Sequence, residues 1–351
     1  MAAQENSHEV AFRLQAGGCR YYGSPFYADL MSLALEDFLD GGCVADLVAG
    51  VEEDPVHGFL PLRLFGAVHA RVLNGLEPEL AAFYPSAGGR ADAALAWPLI
   101  RSIFEREREF ILSRLGDYPQ TNETNRCVGM LGGFLIVARE TGLPLRLREV
   151  GCSAGLNLQW NRFGYEVDGH RWGSLGSPVQ LSSDWSGGLP PLDQDPAIES
   201  RAGCDLKPLD LEDPHDRLRL ESFIWPDQAG RLDRLRAAIE LAREEPPRIE
   251  RAHAIDWLPG ELADGNSGFC TVIFHSSVWA YIHEDEQHAI SSLMETQGDE
   301  ATPERPLAWL RQEGGEVPGT VEIRLRLWPA GEDRLLGMTH PQGTFVRWTG
   351  G

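Results

Sequence analysis

The hydrophobic periodicity of this chain changes character near residue 145, and few folds accommodate the change. Between about residues 5 and 142, apolar side chains recur at helical spacing and no alternating run interrupts them. Ser24-Pro25 reads as a cap followed by proline at the first helical position, with Phe26, Leu30, Leu33, Ala34 and Phe38 in phase up to Gly41-Gly42. Further helices are expected from Phe59 to Val72, from about Ala91 to Leu115 with Glu105–Glu109 on the solvated side, and from about Asn122 to Thr141. Beyond residue 145, strands alternate with helices. Leu145–Val150, Ile249–Ala254, Thr271–His275 and Leu307–Arg311 read as strands, and Ala154–Arg162, Pro226–Ala242 and Asp285–Met294 as helices. Residues 163–200 are rich in Gly, Pro, Ser and Asp and read as a long loop or hairpin insert, followed by a short segment, Ile198–Leu206. Val321–Trp328 and Leu335–Trp348 alternate and predict antiparallel strands. The expected fold class is α/β, with an all-helical N-terminal cap over 1–119. A doubly wound, mostly parallel sheet with an antiparallel finish occupies 120–351, with the insert at about 163–200.

Length and charge narrow the function classes. The 351 residues fit two domains, and 42% hydrophobic content suffices for a full core. With 53 acidic against 31 basic residues the net charge is −22, and no basic run occurs. That excludes a general binder of nucleic acid or of anionic membranes. There is no stretch of 18 or more apolar residues. Residues 1–13 carry Glu5 and Glu9 and lack an apolar core, so no signal peptide is expected and the cytoplasm is the expected compartment. Cys19, Cys43, Cys127, Cys152, Cys204 and Cys270 are scattered without a C-x-x-C pair, which predicts free thiols rather than a metal cluster or disulfide framework. His283 and His288 are not at the spacing of a helical metal pair, and no metal is expected. Lys207 is the only lysine, so a Schiff base has one candidate, in a loop-like context.

The chemistry is concentrated in Leu147-Arg148-Glu149-Val150-Gly151-Cys152-Ser153-Ala154-Gly155-Leu156-Asn157-Leu158. An apolar strand ends in an acid, and small residues then open a helix, so a ligand can approach the backbone. The small positions are Gly151, Ser153 and Gly155, and Leu156 stands where a dinucleotide fingerprint needs its third glycine. A tight turn without a ligand is the competing explanation.

Glu149-Val150-Gly151-Cys152-Ser153-Ala154-Gly155 resembles the first motif of class I S-adenosylmethionine-dependent methyltransferases, with Ser153 in place of the middle glycine. The resemblance implies a Rossmann-like sheet and S-adenosylmethionine as methyl donor. Three later segments resemble the following motifs in order. Ala202–Pro208 would end a strand with Asp205 as the ribose acceptor; Glu166 is the alternative by distance. Arg251–Leu258 would bring Asp256 to the adenine amino group and Trp257 to its face, although Asp256 also suits a helix cap. Thr271–Trp279 would hold the meeting point of donor and acceptor, and the absence of Pro-Pro there argues against methylation of nucleic-acid amino groups. Glu149 would hold the donor's amino end, or pair with a neighbour such as Arg148. Asn157 joins the donor set.

His275 is a candidate general base, or a hydrogen-bonded histidine at a strand end. Asn122 and Glu123 precede the helix leading into the first strand, where they either fold over the methionine end of the donor or cap that helix. Trp172, Trp185, Trp225, Trp279 and Tyr281 are candidates for an acceptor pocket. The whole chain also resembles a bacterial family known only as domain of unknown function 2332. It does so through Gln120–Glu123, the Glu149 motif, Gly203–Asp210 and Trp225–Gln228. The expectation is a methyltransferase for a small molecule, without nucleic-acid or membrane partners. Three alternatives stand beside it: a ligand-binding sensor without turnover, a nicotinamide oxidoreductase, and a structural protein with a vestigial cleft.

Overall fold

The computed structural model describes residues 7–51, 53–263 and 267–350. Glu5 and the beginning of the expected helical pattern lie outside them. The chain divides into two compact units, one of residues 1–121 and 212–236, the other of residues 122–211 and 237–351.

The first unit is helical. Ser7–Tyr21, Pro25–Leu39, Leu60–Leu73, Ala93–Arg106 and Arg108–Arg114 are its main helices, joined by Pro214–Ser222 from later in the chain. Ser24 takes the expected N-cap position before Pro25 but makes no side-chain cap. Its hydroxyl instead donates to Asp227 Oδ1 at 2.5 Å, while Asp227 Oδ2 accepts from Phe26 N at 3.0 Å. The run expected as one helix to Leu115 breaks at Glu107, whose carboxylate is drawn to Arg71 and Arg106 at 3.0 and 3.1 Å. Phe12, Tyr27, Phe65, Tyr84 and Phe104 fill the centre. His69 is sealed among them, with Nδ1 on the Ser222 carbonyl at 3.0 Å and Nε2 on the Ser86 hydroxyl at 2.8 Å. Burial pushes its pKa down to about 4.

The second unit is a mixed α/β structure. Its strands are β1 (Leu145–Val150), β2 (Gly164–Val167), β3 (His170–Gly173), β4 (Gln180–Ser182), β5 (Asp184–Gly187) and β6 (Ile198–Asp205). They continue with β7 (Arg248–Arg251), β8 (Cys270–Ser276), β9 (Leu307–Gly314), β10 (Val321–Trp328), β11 (Glu332–Thr339) and β12 (Phe345–Trp348). Nine of these form one mostly parallel sheet in the order β5-β12-β11-β10-β9-β8-β1-β6-β7. β7, β6, β1, β8 and β9 run parallel, and β9 to β12 pair antiparallel. From β1 the chain moves outward through β6 and β7, then returns to β1's other side for β8 and β9. The order therefore reverses between β1 and β8, the position at which open α/β sheets hold ligands.

The insert at 163–200 takes the hairpin form of the two expected: β2 and β3 pair antiparallel, β4 joins β2 to complete a small sheet, and β5 extends the large sheet by pairing with β12. Tyr165 and Trp172 pack beside Trp160, so this segment has an apolar side of its own. The helix expected at 154–162 forms over Leu156–Arg162, and it is a 3-10 helix. Five successive buried residues, Leu156 to Trp160, leave it no solvated stripe. The strand expected to reach Ala254 stops at Arg251: Ala252 N makes the last bond of the ladder to β6, on the Asp205 carbonyl at 3.1 Å, and helix Ala254–Leu262 begins after its N-cap, His253.

Helix Cys127–Thr141 covers one face of the sheet. Gly132 and Gly133 let it lie close: a Cβ at Gly132 would overlap the Trp348 indole, and one at Gly133 would overlap Leu310. Helices Ala254–Leu262 and Glu284–Asp299 cover the other face, where Trp257, Leu258, Ile290 and Met294 pack with Val150, Ile273, Trp309 and Trp328. No helix among the described residues is long and apolar enough to cross a membrane.

Candidate functional site

Side chains alternate along β1, so Arg148 and Glu149 leave on opposite faces. Arg148 points to helix Ala254–Leu262 and pairs with Glu261, which also receives Arg146 at 3.7 Å and Arg248 at 2.5 Å. Glu149 is therefore not held by Arg148. It is 2% exposed, on the side of Cys127 and Asn157, and Oε2 has no hydrogen-bond partner. Burial, then the charge of Asp205, raises its pKa well above the usual carboxyl range, while the Asn157 amide and the Arg126 guanidinium oppose the rise.

The loop after β1 is strained and closed on itself. Gly151, Ser153 and Gly155 all take positive φ, at 68°, 54° and 73°. Glycine meets that requirement at no steric cost, and serine does not. The loop amides are used internally: Gly151 N and Cys152 N donate to the Cys204 carbonyl at 2.9 and 3.1 Å, and Gly155 N to the Cys152 carbonyl at 2.7 Å. Ser153 N donates to Asp205 Oδ2 at 2.8 Å, and Leu156 N to Asn122 Oδ1 at 3.0 Å. A loop that cradles a pyrophosphate turns such amides outward. This one spends them on the protein, with the Asp205 carboxylate in the place of an anion.

Asp205 ends β6 as expected, half-buried, with Oδ1 also accepting from Lys207 N at 2.8 Å. Glu166 lies exposed in the small sheet, on β2. Asp256 is exposed in the first turn of its helix, and the N-cap there is His253. Trp257 is buried beneath the sheet. Asn122 has a positive φ of 39° and serves the loop through Leu156 N, while Glu123 caps the short 3-10 helix at Thr124–Arg126 by accepting from Asn125 N at 3.1 Å. Three of the five described non-glycine residues with positive φ, Asn122, Ser153 and Ser277, thus gather at this edge. Strain of this kind costs about 1–3 kcal/mol each and collects at ligand sites. Among the described residues, Ser153 Oγ, Ser277 Oγ and Trp257 Nε1 are also buried without a hydrogen-bond partner.

His275 lies at the end of β8, 1% exposed. Its Nε2 accepts from Trp309 Nε1 at 3.1 Å, so Nδ1 carries the proton and donates to Glu313 Oε1 at 2.6 Å. Both ring nitrogens are engaged. The ring stacks on Trp279 with centroids 4.9 Å apart. Glu313 also accepts from Val278 N and Trp279 N, each at 3.2 Å, and so fixes the turn after β8. Sequence reasoning missed Glu313 because it ended the strand at Arg311; continuing the alternation of Trp309 and Arg311 by one step reaches it. Arg126 was missed too. It ties the β8 end by donating to the Ser276 carbonyl at 3.2 Å and to the Pro341 carbonyl at 3.0 Å. Val278 fills the space beside Gly151 that a Cβ would occupy.

The five expected pocket aromatics do not converge. Trp172 packs on Trp160, Trp185 on Trp348, and Trp225 belongs to the core of the helical unit. Trp279 and Tyr281 alone share a turn at the sheet's carboxyl edge, with Tyr281 70% exposed.

No curated protein and no solved structure matches the chain. Residues 9–348 match the model of a family described as "Uncharacterized protein conserved in bacteria (DUF2332)". That match spans nearly the whole chain, which therefore belongs to this bacterial family.

Proposed function

We propose that the chain is an S-adenosylmethionine-dependent methyltransferase for a small molecule, built on a Rossmann-like second unit and working in a reducing cytoplasm. The observation that carries this reading is the unpaired Oε2 of buried Glu149 at the point where the strand order reverses. A buried polar atom without a partner costs about 1–3 kcal/mol, a cost that a ligand donor at this edge removes. The residues present fit the donor: Glu149 accepts from an ammonium, and Asp205 has lone pairs left for a ribose diol beyond its two backbone bonds. The loop's internal amide bonds disfavour a dinucleotide.

When bound, the sulfonium supplies a methyl carbon activated for in-line displacement. The chain's part is alignment and exclusion of water. Glu313 and His275 hold the β8 turn, and that turn presents Trp279 and Tyr281 to an acceptor. In this reading His275, Asn122 and Glu123 are positioning residues, since each is spent on a protein partner. A thiolate or other pre-ionised acceptor requires no base.

The second reading is a donor-binding sensor without turnover. Val278 against Gly151, and a histidine with both nitrogens occupied, favour it. Calorimetric titration with S-adenosylmethionine, its demethylated product S-adenosylhomocysteine, and NAD separates these ideas on the wild type and Asp205→Ala. The expected result is micromolar binding of the first two, none of NAD, and loss in the variant. Binding without any methylated product across an acceptor panel would favour the sensor. A folded wild type that binds neither adenosyl compound overturns both.

A further inference from the structure

We infer that the helical first unit carries a binding pocket of its own, for a small uncharged molecule that is mostly apolar and brings one hydrogen-bond donor. The site belongs to the first unit alone and stands whether or not the second unit binds an adenosyl compound. The pocket has a volume of about 270 Å³ and lies between helix Ser7–Tyr21 and the segment that leads into helix Leu60–Leu73. One wall is a stripe of the first helix: Ala11, Leu14, Gln15 and Gly18 stand three and four residues apart and share a face. A stripe of this kind normally packs on a neighbour along its length. Here Leu14 stays 59% exposed, and a Cβ at Gly18 would meet nothing nearer than Gln15 Nε2 at 4.0 Å. The other wall is Pro55, Val56 and Phe59.

That second wall is strained and firmly fastened. Phe59 takes a φ of 51°, in the left-handed region that a bulky side chain rarely enters. Strain of this kind persists only where the surroundings over-determine it, and it collects at ligand sites. Leu60 N donates to the Pro55 carbonyl at 3.1 Å and Phe59 N to the Val56 carbonyl at 3.2 Å. Asp54 Oδ1 accepts from Val56 N at 2.8 Å. Glu53 accepts from the Tyr118 hydroxyl at 2.7 Å and pairs with buried Arg63 at 2.8 Å. The segment is thereby fastened to Tyr118 and to helix Leu60–Leu73, and it does not close onto the stripe.

The lining selects the ligand. None of its side chains is charged, so a charged ligand would lose hydration without gaining a counter-charge. Glu53 and Asp54 in the adjoining segment, and a net charge of −22, further oppose an anion. Gln15 turns Nε2 to Cys19 Sγ at 3.6 Å, and the Cys19 proton goes to Met31 Sδ at 3.8 Å. Gln15 Oε1 is then left to accept from a ligand hydroxyl or amide N–H. An apolar cavity of about 150 Å³ takes one benzene, so this pocket suits a molecule of on the order of ten non-hydrogen atoms.

The test uses the full chain and three probes of one shape: 2-phenylethanol, 2-phenylethylammonium and phenylacetate. Methyl NMR follows Ala11, Leu14 and Val56. 2-Phenylethanol is expected to shift these methyls saturably, with a Kd of about 1 mM or below. The two charged probes should bind about tenfold more weakly. Gly18→Leu fills the pocket and should abolish the shifts. Gly17→Leu, on the neighbouring exposed position with open space around it, should leave binding unchanged. Gln15→Leu should weaken 2-phenylethanol about fivefold, the loss of one hydrogen bond. The absence of a saturable shift in the wild type overturns the inference, as does equal binding by Gly18→Leu or by either charged probe. Undiminished binding by Gln15→Leu overturns the assigned acceptor and with it the expected ligand class.

Discussion

Replacing Glu149 by Gln should make the protein more stable at neutral pH while weakening donor binding. In the folded chain Glu149 is buried and its pKa is raised; once unfolded, it ionises near its ordinary value of 4.5. Below that value both states hold the proton, and stability does not depend on pH through this group. Above it, and up to the raised folded value, unfolding releases one proton that the native state keeps. Linkage then lowers wild-type stability by about 1.4 kcal/mol per pH unit across that window. An amide carries no such slope. The difference in unfolding free energy, Glu149→Gln minus wild type, should therefore climb at about this rate from roughly pH 5 and level off once the folded carboxyl ionises. Urea unfolding at a series of pH values, followed by the fluorescence of the second unit's tryptophans, measures it. S-adenosylhomocysteine titration on the same samples should show weaker binding, because the amide cannot ionise to meet the ligand's ammonium. A difference that stays flat between about pH 5 and 8 would mean that Glu149 is already ionised in the native state, and the reasoning from its burial would fail.

Other expectations concern stability. Gly132→Ala should cost the second unit about 1–2 kcal/mol: overpacking against Trp348 outweighs the gain in helix propensity. Gly17→Ala, on an exposed helix position with open space around it, should instead gain about 0.5–1 kcal/mol; urea midpoints report both. His69 is buried neutral with a pKa lowered to about 4, so unfolding takes up a proton between there and its ordinary 6.5. Acidification across that window should remove about 3 kcal/mol from the first unit, and His69→Gln should flatten the pH profile. Glu261→Gln leaves Arg148 and Arg146, both buried on β1, without their counter-charge, and should cost about 3 kcal/mol in thermal or urea unfolding.

The elements that could be read from the sequence are those in which local pattern and tertiary demand agree. Leu145–Val150 lies where its apolar run and following glycine place it, and Pro25–Leu39 starts where Ser24-Pro25 says it should. Reading faltered where a distant partner decides the local structure. β5 is a strand because β12 offers it an edge, and β12 is more than 150 residues further on. Ser24 was legible as a cap position, but the acid that satisfies the helix start, Asp227, is set by the fold of the whole unit.

The candidate site divides in the same way. Gly151, Ser153, Gly155 and Asp205 announce themselves by residue type at the end of a strand. What joins them is invisible in one dimension: the Asp205 carboxylate filling the loop's own amides, Glu313 gathering His275 and the β8 turn, and Cys127 reaching Asn157. A sequence motif specifies that a backbone can turn and a ligand approach. Which polar atoms remain unspent after the turn has closed depends on the tertiary contacts, and for a binding site that remainder is the informative quantity. Here it is one oxygen of Glu149 and the hydroxyls of Ser153 and Ser277, at the edge where the strand order reverses. The motif alone suits a phosphate as well as a sulfonium. With the loop amides already occupied, what remains is mainly oxygen, and an acceptor-rich edge favours a ligand that brings donors and positive charge.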